Sequence, residues 1–222
     1  MKETGIMFTP ENIRLIREGR KTQTRRVITP QPIMEKVESF GPSWSWNRGG
    51  KGWFAGVTEE QIRNPNYGLK KQCEYFYGVP GDLLYVKEGV IIHGSIPQLV
   101  GYYMDGCRVT ESWETRRTAM FMPKWAARTW LEITEVRVER VQDISEVDAL
   151  AEGCLPDLIT EQDVADIQIS DASPLIKGLA RALGPGQFTA KFQFQQLWDS
   201  INSKTYPWSS NPWVWVLTFK RV

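Results

Sequence analysis

Residues 19–26, with the sequence GRKTQTRR, combine four cationic side chains with two hydroxyls at the predicted start of a strand. Alternate side chains of an extended chain share a face, which groups Lys21 with Gln23 and Arg25. The opposite face then holds Arg20, Thr22, Thr24 and Arg26. A bend after the glycine would instead bring Lys21 close to Thr24. Two interpretations stay open: a binding stretch for an anionic ligand, and a solvated basic edge that protects a sheet from aggregation.

The charge is uneven along the chain, although the formal total is only +1. Residues 14–26 hold six cations and one anion, whereas residues 143–171 hold nine anions and no cation. A nearly neutral total provides no long-range attraction to nucleic acid or membrane. The local asymmetry, by contrast, is typical of a polyanion-binding face.

The helix before this basic segment is predicted from its caps and apolar spacing. Thr9 followed by Pro10 is a cap and first-turn pair that begins a helix over 10–18. Gly19 follows where a helix end favours a left-handed residue. The predicted buried side of the helix consists of Ile13, Leu15 and Ile16.

Two strong strand signals lie in the middle of the chain. A Pro-Gly-Asp turn at 80–82 leads into an apolar run over 83–92. A longer strand over 128–141 changes the phase of its alternation near Thr134. That change of phase predicts a β-bulge or bend at this position.

A helix over 146–152 follows the long strand, with Asp143 or Ser145 as its cap and Gly153 at its end. Further predicted elements are a strand over 100–104, a helix over 189–201 and a last strand over 213–222. Many short strands with a few short helices predict an α+β chain, mainly β. We expect a small β-barrel with short flanking helices.

Two long segments interrupt this pattern. Residues 30–77 and 155–186 are rich in proline and glycine, and the second is also acidic. We therefore predict a single domain over 1–222 with two insertions. The first insertion interleaves rings such as Trp44 with cations, which suits either stacking on bases or attachment of the loop to the domain. Candidate rings for a pocket wall are Trp44, Tyr85 and Trp125.

The three cysteines, Cys73, Cys107 and Cys154, are far apart and odd in number, and no secretory leader is recognisable. Such usage favours a reducing cytoplasm over a disulfide framework. His93 is the only histidine in the sequence, and none of these residues has metal-ligand spacing. No apolar run approaches the roughly 18 residues that a membrane span needs. We therefore predict no metal, no cofactor and no membrane partner.

Four parts of the chain support a family resemblance. They are the segment GRKTQTRR at 19–26, the Pro-Gly-Asp turn at 80–82, the stretch 144–153 ending in Ala-Glu-Gly, and the last strand at 213–222. Together they resemble the ASCH family, in particular its long phage and prophage members. The two insertions have no counterpart in the minimal domain. The resemblance implies a PUA-like fold, a small and partly open β-barrel with a cleft beside the helices, and association with RNA or modified nucleobases.

One bacterial branch of that family consists of small amidohydrolases that remove the acetyl group from N4-acetylcytidine. By motif, the resemblance implies Thr24 as nucleophile, Lys21 as base and Glu152 as proton donor. This chemistry is reasonable, because a threonine hydroxyl attacks only when a neighbouring base takes its proton. A lysine serves as that base when burial and nearby cations favour its neutral form. The alternative for Glu152 is a solvated helix-end carboxylate that pairs with the basic strand.

Two departures from the small enzymes bear on the expected ligand. The pair Arg25 and Arg26 makes the pocket mouth more cationic, which favours a phosphate-bearing ligand. The insertion 30–77 follows directly and is placed to cover or reshape the cleft. The expected ligand-binding residues are Arg20, Thr22, Arg25, Arg26 and Trp44.

Three functions stay open for the sequence. The favoured one is recognition of RNA, a nucleotide or a modified nucleobase in a basic cleft, with DNA as a chemically related partner. The second adds hydrolysis of an N-acylated cytosine-type amide. The third is a phage factor that binds a host protein without catalysis, with the acidic residues 155–171 as its contact surface.

Overall fold

A computed structural model describes residues 1–29, 31–37, 41–45, 77–154 and 190–222, together with Glu60 and Arg63. Its strands are β1 Glu3–Met7, β2 Gln23–Val27, β3 Ile33–Val37, β4 Gly41–Ser45, β5 Leu83–Lys87, β6 Val90–His93, β7 Leu99–Tyr102, β8 Glu114–Arg117, β9 Trp130–Arg140 and β10 Trp213–Arg221. Its α-helices are α1 Pro10–Arg17, α2 Glu146–Ala151 and α3 Ala190–Asn202. The described part is therefore α+β and mainly β, as predicted.

Helix α1 begins and ends as its sequence predicts. Thr9 Oγ1 accepts a hydrogen bond from the third amide beyond it at 3.3 Å, and Pro10 lies in the first turn. Gly19 has a φ of +74°, and the amide of Lys21 donates to Leu15 O at 3.1 Å. The side of α1 that was predicted to face the core is buried, with Ile13, Leu15 and Ile16. This helix end sets the direction in which the chain enters β2.

The largest sheet has five strands in the order β1-β5-β9-β10-β2. The β1–β5 pair is parallel, and the other pairs are antiparallel. β1 and β2 lie at opposite edges, yet Arg26 of β2 donates to Met7 O of β1 at 2.8 Å. A side chain therefore links the two edges of the sheet.

The predicted bulge in β9 is confirmed at Thr134. Thr218 pairs with Glu135 and the next residue, Phe219, pairs with Ile133, so the register skips Thr134. The extra residue restores the phase of the alternation. Residues on both sides of it, Leu131, Ile133, Val136 and Val138, therefore lie in one core.

The five-stranded sheet is covered on both faces. One face of β10, with Trp215 and Leu217, packs in a core that contains Ile13 and Ile16 of α1. Alternate residues, including Val216, pack instead with α2 and α3. Helix α3 buries Phe194 and Trp198, whereas Ile201 near its end is 60% exposed.

The predicted strand over 83–92 is two strands, β5 and β6, separated at Glu88 and Gly89. The strand breaks there because the Glu88 amide donates to Met122 Sδ instead of to a neighbouring strand. The Glu88 carboxylate accepts hydrogen bonds from arginines. β6 lies at the centre of a second sheet, ordered β7-β6-β8. β8 was not predicted, because its sequence ETRR has no apolar alternation.

The described residues include only a small part of the two predicted insertions. Within 30–77, the described residues include the antiparallel hairpin β3–β4. Residues 155–186, including the acidic stretch 155–171, lie outside the described residues. Among the described helices, none has both the length and the apolar content to cross a membrane.

Candidate functional site

Strands β2, β10 and β9 build a charged face beneath helix α2. The register sets Arg25 beside Val216, and Val216 beside Arg137. Cross-strand partners share a face of the sheet. Gln23 and Arg25 therefore point toward α2, and the predicted grouping of Lys21 with both is confirmed by their shared contacts.

The buried pair Lys21 and Glu152 lies at the centre of this face. Lys21 Nζ donates to Glu152 Oε2 at 2.7 Å and to Glu152 O at 2.6 Å. The two side chains are only 2% and 4% exposed. The backbone holds them together, because the amide of Thr22 donates to Ala151 O at 2.9 Å. Glu152 is therefore a buried partner of Lys21 rather than a solvated helix-end carboxylate.

Arg25 is the second cation on this carboxylate. Its guanidinium is fully buried and lies 3.3 Å from Glu152 Oε1, 3.1 Å from Glu139 Oε2 and 3.2 Å from Asp148 Oδ2. Gln23 Oε1 accepts a further hydrogen bond from Arg25 at 2.6 Å. Each carboxylate oxygen of Glu152 thus has a cationic partner, which fixes the orientation of the group.

Asp148 joins this network to the surface. Burial by itself would raise the pKa of Asp148, but the Gln23 hydrogen bond and the charges of Arg25 and Arg137 outweigh it and lower the pKa. Ser145, one of the two predicted caps, accepts a hydrogen bond from the Asp148 amide at 3.1 Å. Asp148 is therefore an ionised member of the network at neutral pH.

Thr24 lies on the opposite face of β2 from Arg25. It pairs with Leu217, a member of the core under α1, and is 1% exposed. Alternation along the strand therefore points the Thr24 hydroxyl away from the Lys21–Glu152 contact. The structure brings two residues of the predicted catalytic set into contact and places the third on the other side of the strand. The roles of all three stay predictions.

The remaining predicted ligand-binding residues are dispersed. Arg20 is exposed and pairs with Glu18 at 3.2 Å. Thr22 is exposed. Arg26 reaches the end of β1 and lies 5.1 Å from the centroid of the Phe8 ring. Trp44 lies in β4 opposite Met34, and its side chain is outside the described part. Of these four residues, Arg20 lines the cavity described next.

A cavity of about 310 Å³ lies between α1, α3 and the end of α2. Its lining residues are Thr9, Glu11, Asn12, Arg14, Leu15, Arg20, Glu152, Gly153, Cys154, Gln193 and Leu197. Gly153 has a φ of +87°, and a Cβ there would lie 3.4 Å from Lys21 Cβ and 2.9 Å from Leu15 Cδ1. Lys21 therefore lies directly behind the wall that Glu152 and Gly153 form.

The charge of the lining is balanced rather than basic. Arg14 and Arg20 are its cations, and Glu11 and Glu152 are its anions. Arg14 is already bonded to Glu11 at 2.6 Å. Within the described ranges, no group of three or more histidine, cysteine or acidic side chains could hold a metal ion. Beside its apolar surface, the described lining offers the hydroxyl of Thr9 and the amides of Asn12 and Gln193 to a ligand.

Cys154, a buried residue of the cavity lining, provides a test of how well this region excludes solvent. Its burial, reinforced by the charge of Glu152, raises the pKa of the thiol to about 11. At pH 8, only about one thiol in a thousand is then a reactive thiolate. We expect iodoacetamide to label the half-exposed Cys107 well before Cys154 in the folded protein, as measured by peptide mass mapping. Both should react alike in urea, and equal labelling of the folded protein would contradict this environment.

A second charged cluster was missed at the sequence level. Glu88 is 2% exposed and accepts hydrogen bonds from both Arg17 and Arg128. The signal for it is the alternation of β5, since Leu84 and Val86 are buried and Glu88 continues the same face. A buried acid at the end of an apolar strand face predicts paired cations.

Searches of family models, curated proteins and solved structures find no match to this chain.

Proposed function

We propose that this chain is an ASCH-type, PUA-like domain that recognises a modified nucleobase in the cavity beside Glu152. The observation that carries the proposal is the buried contact between Lys21 Nζ and Glu152 Oε2, 2.7 Å long, directly behind the cavity wall. The two residues belong to two separate parts of the family motif, 131 positions apart. Their contact supports the motif assignment, because a chance resemblance gives no reason for them to meet.

The size and lining of the cavity favour a nucleobase or nucleoside. Small-molecule sites enclose about 300–1,000 Å³, and this cavity of about 310 Å³ lies at the lower end. Thr9, Asn12 and Gln193 supply hydroxyl and amide groups, which match the donors and acceptors on the edge of a base. The balanced charges favour an uncharged ligand over a bare phosphate.

Hydrolysis of an N-acylated cytosine-type amide is the second candidate. Its support is that Lys21 and Glu152, the base and acid that the resemblance implies, meet beside the cavity. Their contact is an ion pair, whereas hydrolysis needs a neutral base and a protonated acid. Thr24 lies on the other face of β2, so we favour recognition of the base over its hydrolysis, because recognition needs only the cavity. A host-protein partner acting through residues 155–171 is a third proposal, which the described residues do not address.

Calorimetric titration with N4-acetylcytidine tests the proposal. We expect the parent to bind it, and the variant Asn12→Leu to bind about tenfold more weakly or worse, because an apolar branch replaces an amide in the cavity. Asn202→Leu is the matched control, since Asn202 is also a half-buried helical asparagine but lies outside the cavity lining. Absence of binding to folded parent protein would overturn recognition of this base.

Release of cytidine in the same samples separates the two candidates. Hydrolysis by the predicted set requires turnover that Lys21→Ala and Thr24→Ala abolish. Thr129→Ala is the control for the second variant, because Thr129 and Thr24 are both threonines with 1% exposure. Binding without release of cytidine supports recognition alone, and turnover that survives in Thr24→Ala removes Thr24 as the nucleophile.

A further inference from the structure

Segment 116–125 presents two exposed rings on a firmly anchored backbone. Phe121 is 67% exposed and Trp125 is 48% exposed, whereas the residue after each, Met122 and Ala126, is at most 3% exposed. Both anchors belong to the core of the second sheet. The rings are thus held outward by buried neighbours, and their exposure is not a result of a loosely packed loop. Single exposed apolar residues are ordinary, but three in one short segment, with Met120 also 59% exposed, make this segment a candidate binding site.

The same segment is cationic. It contains Arg116, Arg117 and Lys124 and no acidic residue. Arg117 is exposed and forms no ion pair with any described residue. Arg116 lies 4.5 Å from the centroid of the Tyr103 ring, and Lys124 pairs with Glu3. Exposed aromatic rings among cations are complementary to a polyanion that also carries flat apolar groups.

We infer that segment 116–125 is a binding surface for single-stranded nucleic acid. Phe121 and Trp125 would stack on unpaired bases, and Arg116 and Arg117 would contact the phosphates. A duplex fits this surface less well, because its base faces are already stacked on one another. None of these residues lines the cavity, so the surface is a separate site, which stands whether or not the cavity takes a base.

Fluorescence anisotropy with labelled oligo(U) and oligo(dT) of about 12 nucleotides, beside a DNA duplex, tests the inference. We expect Phe121→Ala and Trp125→Ala each to weaken single-strand binding at least about fivefold, the lower limit for removal of one stacked base. Replacing Arg116 and Arg117 by glutamine should reduce the slope of log affinity against log salt by roughly 0.7 for each phosphate that the protein no longer neutralises.

The controls are an exposed apolar residue in the last turn of α3 and an exposed cation just after that helix. Ile201→Ala removes an apolar group that is 60% exposed, and Lys204→Gln removes an exposed cation. Both should bind oligonucleotides as the parent does. The variant that lacks both rings should bind N4-acetylcytidine as the parent does, because neither Phe121 nor Trp125 lines the cavity, so failure of one site is distinguishable from failure of the other.

Three outcomes would overturn the inference. The first is unchanged oligonucleotide affinity in the variant that lacks both rings. The second is equal binding of duplex and single strand. The third is a concentration-dependent dimer, seen by sedimentation, which removal of Phe121 and Trp125 dissociates without any change in oligonucleotide affinity. That result would assign the surface to an interface between copies of this chain.

Discussion

Replacing Arg25 by methionine is expected to lower the free energy of unfolding by about 4 kcal/mol, the middle of the range for breaking a buried ion pair. The guanidinium is fully buried and faces Glu139, Asp148 and Glu152. Methionine keeps much of the side-chain volume but leaves these carboxylates without their shared cation. Urea unfolding of parent and variant at pH 7 measures the difference.

The matched control is Arg14→Met, because Arg14 is also bonded to a glutamate but lies on the exposed side of α1. Its unfolding midpoint should stay close to that of the parent. An equal loss of stability in both variants would contradict the structural role of the Arg25 network.

The effect of Arg25→Met should shrink in acid. The pKa of Asp148 is lowered in the folded protein, so its ionised form contributes stability above the ordinary value of about 3.9. That contribution is lost as pH falls through the lowered folded value. In the variant, the stability that ionised Asp148 contributes is smaller already at neutral pH, because Arg25, one of the cations that lower this pKa, is absent. Unfolding curves of the two proteins should therefore converge below about pH 4.

Replacing Glu88 by glutamine should destabilise the fold by about 3 kcal/mol, the lower end of the range for a broken buried pair. The Glu88 side chain has no exposed surface and lies 2.7 Å from Arg17 and 2.9 Å from Arg128. Glutamine preserves the shape but presents a neutral amide to two cations. The lower end applies because both arginines are 27% exposed, so water can partly solvate them.

Glu132→Gln is the control for Glu88→Gln. Glu132 also lies in a strand, β9, and pairs with Lys220 at 3.0 Å, but these side chains are 32% and 60% exposed. Breaking such a surface pair should cost less than about 1 kcal/mol. Thermal unfolding followed by circular dichroism compares the two variants, and similar losses would contradict the importance of burial at Glu88.

The local geometry around the site could be predicted from short stretches of sequence. Thr9, Pro10 and Gly19 fix the start and end of α1, because caps and left-handed glycines act within a few residues. Strand alternation correctly placed Lys21 on the face of Gln23 and Arg25. The bulge at Thr134 was predictable for the same reason, since a change of phase is visible in the side-chain pattern.

Tertiary structure decided which distant groups meet. The Lys21–Glu152 contact depends on how α2 packs over β2, and only the family resemblance linked the two positions beforehand. Glu139 and Asp148 reach Arg25 through the registry of β9 with β10 and the placement of α2, neither of which has a local signal. Glu88 likewise reads in the sequence as an acid at a strand end, but in the fold it is buried and bonded to Arg17 and Arg128. Local sequence encodes direction and face, whereas pairing across the fold depends on long-range packing and desolvation, which no short segment contains.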